Sequence, residues 1–116
     1  MEQNSFYNDL VFTDDKVKIS VVLETSFSKE IRIAFKKGQV MKEHKTAFPI
    51  VVHLLEGSIE FGVKGEKHQL KKGDILTLEG NIPHDLLANE ESIVRLTLSK
   101  LDSPERVEKV AEDSKS

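Results

Sequence analysis

Short apolar runs broken by turn signals about every 8–12 residues constrain this chain more than any other feature. KVKISVVLE (Lys16 to Glu24) alternates at first and then becomes apolar. After TSFS comes KEIRIAFKKG, in which Ile31, Ile33 and Phe35 alternate with Arg32, Ala34 and Lys36. Period two with one polar face predicts a half-buried strand. PIVVHLL, SIEFGV, KHQL, DILTL, PHDLLA and SIVRLTL read as further strands. Turns at Glu56-Gly57, Lys64-Gly65-Glu66, Lys72-Gly73-Asp74 and Asn89-Glu90-Glu91 separate them. No crossover-length helix lies between strands, so a parallel βαβ sheet is excluded and an all-β sandwich or barrel remains.

The two ends differ from this pattern. Residues 1–15 are expected to form an N-terminal arm, loosely held over residues 1–10, and residues 16–101 the barrel. Residues 102–116 are expected to hold a short C-terminal helix and tail. In SPERVEKVAED, Ser103 is the N-cap, Pro104 takes the first helical position and Glu105 complements the helix dipole.

Composition narrows the function classes. A chain of 116 residues makes one domain and buries roughly 65% of its unfolded surface, enough for a core of its own. Hydrophobic residues are 38% and charged residues 32%, as in a soluble globular protein. No cysteine is present, which excludes disulfides and thiolate metal sites and agrees with a cytoplasmic location. No apolar run reaches the roughly 18 residues of a membrane helix. MEQNSFYNDL is polar and acidic, unlike a signal or transit peptide. Net charge is −3 with no basic stripe, so neither nucleic acid nor membrane is an expected partner.

The glycine and histidine frame resembles the cupin superfamily. Gly38, five residues, His44-Lys45-Thr46, Ile50 and Gly57 follow the family's first motif. Gly73, DILTL, Glu79-Gly80-Asn81, Ile82-Pro83, His84 and Ala88 follow its second, and the likeness spans roughly residues 16–100. It implies an all-β fold, a double-stranded β-helix (jelly-roll) barrel of small single-domain type. It also implies where a metal would sit, because metal-binding cupins supply three histidines and a glutamate from these motifs. Carried over by position, those ligands are His44, Thr46, Ile50 and His84, so only His44 and His84 are metal-ligating types.

Two imidazoles make an incomplete set, since catalytic metal sites need about three protein ligands. His53, His68, Glu43, Glu79 and Asp85 are the other donors. Strand parity turns His53 away from Ile50, Val52 and Leu54, and Asp85 away from His84, Leu86 and Ala88. Glu43 points away from His44, and a bulge near Pro49 would rescue His53. His68 lies in the charged KGEKHQLKK, which reads as a solvated stretch far from the first motif.

The favoured expectation is a small-molecule pocket lined by His44, Thr46, Ile50, Val52, Phe61, His84 and Leu86, with no cofactor. The alternative is a metal-dependent cupin enzyme of dioxygenase or isomerase type, with a divalent transition metal on a reduced ligand set. A third reading is an interaction module whose barrel is packed shut. Catalysis and the identity of the ligand stay open. The outer face of PIVVHLL, with Val51, His53 and Leu55, needs a cover. A homodimer is expected there, competing with or joined by the arm residues Phe6, Tyr7, Leu10 and Phe12.

Overall fold

Turn chemistry sets the strand boundaries. In TSFS, the Thr25 hydroxyl accepts hydrogen bonds from the Phe27 and Ser28 amides (3.1 and 2.8 Å), reversing the chain without a glycine. Lys64 and Gly65 both have positive φ (53° and 76°), as a two-residue hairpin that matches strand twist requires. Gly57 also has positive φ (96°) and lies against Ser92, where a Cβ would come within 2.1 Å of Oγ. Only glycine fits there.

The computed structural model describes residues 1–100. Nine strands result: β1 (Lys18–Glu24), β2 (Ser28–Phe35), β3 (Val40–His44), β4 (Ile50–Glu56), β5 (Ser58–Val63), β6 (Glu66–Lys71), β7 (Ile75–Leu78), β8 (His84–Ala88) and β9 (Ser92–Ser99). They form two antiparallel sheets, ordered β1-β2-β9-β4-β7 and β3-β8-β5-β6. Sheet order runs against chain order in both, and this double roll is the expected jelly roll. The expected C-terminal helix falls outside the described residues.

The inner faces of the two sheets meet in one core. Ile33, Phe35, Ile50, Val52 and Leu54 come from the larger sheet, and Ile59, Phe61, Leu86 and Ala88 from the smaller. Inward and outward positions alternate along β4 from Ile50 to Leu54, as the sequence predicts. The register shifts in the β3–β8 pair between Met41 and His44, and in the β4–β9 pair between Leu54 and Glu56. Neither lies at Pro49, so the predicted parity of β4 stands.

β2 departs from the sequence reading. It is buried on both faces, with Arg32 at 4% and Ala34 at 0% exposure, although both occupy the predicted polar face. Arg32 lies beneath the N-terminal arm, whose main chain it clasps. Its Nη1 donates to Phe6 O (2.9 Å) and Asn8 O (2.7 Å), and its Nη2 to Asp9 O (3.2 Å). The Arg95 guanidinium lies over the Phe6 ring at 5.4 Å, and Tyr7 Oη donates to Glu56 (3.2 Å). A strand patterned as amphipathic is therefore sealed on its polar side by a segment distant in sequence. The expectation of a loosely held arm gives way to an arm tied at residues 6–9.

Candidate functional site: a paired imidazole at the barrel end

Register brings the two motif histidines together. β3 and β8 are hydrogen-bonded neighbours, and His44 stands directly opposite His84. The extra residue of the β3 irregularity lies just before His44 and re-aims the strand end that carries it. The ring centroids are 4.5 Å apart and the planes inclined by 58°. His84 is 3% exposed and stacks on Phe61, with centroids 5.6 Å apart and planes 14° from parallel. His44 is half-buried at the end of its strand.

A backbone carbonyl two residues upstream orients each ring. His44 Nδ1 lies 2.8 Å from Lys42 O, and His84 Nδ1 lies 3.0 Å from Ile82 O. A carbonyl can only accept, so each Nδ1 carries a proton, and Nε2 is the nitrogen left to accept wherever the ring is neutral. Burial lowers the His84 pKa below the usual 6.5, and the adjacent His44 pushes the same way. The hydrogen bond to Ile82 O and the charge of Asp85 oppose this without reversing it. His84 is thus a neutral acceptor near pH 7.

The other predicted pocket residues separate into two groups. Ile50, Val52, Phe61 and Leu86 all belong to the buried core, at 2%, 2%, 1% and 4% exposure. Phe61 also borders a cavity of about 310 Å3 with Val63, His68, Leu70, Leu76 and Leu78. Thr46 lies past the end of β3, donates to Phe48 O (2.9 Å) and lines a different cavity with Phe48, Pro49 and Leu98.

The remaining donors lie elsewhere. His53 points to the outer face of the larger sheet, opposite Arg95, with its Nδ1 buried and without a hydrogen-bond partner among the described residues. Asp85 faces outward over Gly62 and pairs with Lys67 at 3.6 Å. His68 corrects the sequence reading in part. Its side chain is 48% exposed, as expected of a charged stretch, yet it sits in β6 directly opposite Phe61 and borders the same cavity. The signal was its spacing of two from the buried Leu70, masked by the flanking lysines.

A transition metal, which the jelly-roll frame of motifs implies, does not fit this donor set. Among the described residues, no three His, Asp or Glu side chains are grouped as a metal would require. Two imidazoles remain where about three ligands are needed.

A two-sheet roll with its motif histidines paired at one end defines the cupin class of barrel. The sequence model of the family described as "Cupin domain" matches residues 31–100. The chain belongs to the cupin family. Solved structures agree on the fold. An RmlC-like cupin from Desulfovibrio desulfuricans has 24% identity over 85% of this chain and 96% of its own, with a TM-score of 0.78. TT1209 from Thermus thermophilus has 19% identity over 85% and 97%, also at 0.78. KdgF from Halomonas sp. has 18% identity over 89% and 97%, at 0.72. At these identities the likeness establishes the fold alone. No curated protein sequence matches the chain.

Proposed function

We propose that this small cupin binds a metabolite at the His44–His84 pair without help from a metal. The observation that carries the reading is two imidazoles 4.5 Å apart with both Nδ1 atoms against carbonyls, which makes each Nε2 the acceptor of a neutral ring. Two adjacent acceptors suit a ligand that offers neighbouring hydroxyl or amino donors. Phe61, on which His84 stacks, also forms part of the wall of an apolar cavity of about 310 Å3, within the usual size range of small-molecule sites, although neither His44 nor His84 lines that cavity. The lowered pKa of His84 keeps it an acceptor near neutrality.

Native mass spectrometry of protein purified without a tag tests this. His44→Ala and His84→Ala are expected to keep the far-ultraviolet circular dichroism of the parent and lose the co-purifying small molecule. Unfolding of both variants would make the histidines structural and end the proposal. We further propose a homodimer, which the exposed apolar side chains Ile19, Val21, Phe27 and Ile75 support. A monomer in sedimentation velocity would overturn it.

A further inference from the structure

A second cavity of about 330 Å3 lies where β2 begins and β9 ends, bordered by the loop between β3 and β4. Ala47, Phe48, Pro49 and Leu98 supply apolar lining, and Lys29 and Lys100 supply the charge. The two lysines differ in what they hold. Lys100 Nζ donates to Glu24 Oε2 (2.6 Å) and to Thr25 O (2.8 Å), so its charge is answered. That bond, with the lysine charges beside it, holds the Glu24 carboxyl below its usual range. Lys29 forms no ion pair among the described residues, although it lies close enough to add its field at Glu24. The Thr46 hydroxyl gives its proton to Phe48 O and so meets a ligand only as an acceptor.

We infer that this cavity is a binding site for a small monocarboxylate with an apolar chain, held by Lys29. One cation with no ion pair among the described residues, set beside apolar walls, fixes the ligand's charge. A neutral molecule would leave the ammonium unused. A dianion would bring a second charge against apolar lining with nothing to pair it, which is costly. The volume is at the small end of ligand sites and suits a short chain. This site is independent of the imidazole pair, since Thr46 is the only predicted pocket residue that borders it.

The test uses the full-length chain and octanoate as the probe. Calorimetry is expected to show saturable binding, and amide spectra to shift at residues 46–48 and 98–100. 1-Octanol is expected to bind roughly tenfold more weakly, and Lys29→Met to weaken octanoate by roughly tenfold while leaving octanol unchanged. Lys29→Arg keeps the charge and is expected to retain affinity; Lys67→Met, remote from the cavity, is the control. Absence of saturable binding overturns the proposal. So does an equal loss in Lys29→Met and Lys29→Arg, which would mean charge is not what is read. Shifts confined to the His44 and His84 rings would overturn this site and leave the imidazole reading standing.

Discussion

His84→Leu separates the titration of the buried imidazole from its volume. The two side chains are similar in size, so the core around Phe61 is disturbed little. The variant loses the Nδ1 hydrogen bond to Ile82 O (3.0 Å). That costs about 1 kcal/mol, the usual net worth of one hydrogen bond. Burying a fully apolar side chain at a site 3% exposed returns a similar amount. Near pH 8 the two proteins should therefore agree within about 1 kcal/mol. Acid separates them. The folded-state pKa of His84 lies below 6.5 through burial and the neighbouring His44, so between that lowered value and 6.5 the unfolded chain binds the extra proton. Parent stability is thus full above 6.5 and falls as pH drops toward the folded pKa. By about pH 5 the loss is bounded by the unfolded chain's protonation, at most about 2 kcal/mol. His84→Leu has no such loss, so it should gain on the parent as pH falls. Urea unfolding at both pH values, read against the same pair of measurements in a His44→Leu background, isolates the difference. A parent-to-variant gap that stays constant from about pH 8 to pH 5 would refute both the burial argument and the neutral-acceptor role built on it.

Arg32→Leu should release the arm, since one guanidinium holds three of its carbonyls. Hydrogen exchange at residues 5–10 should then accelerate while barrel amides stay protected, with a stability loss of about 1–2 kcal/mol because freed carbonyls rehydrate. Gly57→Ala should cost about 3 kcal/mol or more, measured by thermal unfolding, because the added Cβ meets Ser92 and Glu91 backbone at positive φ. Elemental analysis of protein grown with supplemented Fe, Mn, Ni, Cu and Zn should find less than about a tenth of an equivalent of each, as expected of two ligands without a third.

Most of the strand order was legible because it is written in local chemistry. Period-two runs and the Lys64-Gly65 and Lys72-Gly73 turns mark β4 to β9 without reference to anything distant. β3 is the exception: VMKEH has few apolar residues and an irregular register before His44, so it offers no alternation to read. The pairing of His44 with His84 was legible only through the family motifs. Nothing local to either residue specifies the other.

Sequence alone determined that this chain rolls into antiparallel strands, which histidines its motif frame carries, and that β4 turns Ile50, Val52 and Leu54 inward while His53 faces out. Those properties follow from side-chain period and turn geometry, which act over a few residues. Tertiary structure decided the rest. It seals Arg32 under the arm, sets His68 opposite Phe61, diverts Thr46 to a second cavity and, among the described residues, gives the Glu24 ion pair to Lys100 and none to Lys29. Each depends on which distant strand becomes a neighbour, and that choice is made by burial summed over two whole sheets, which no short stretch of sequence records.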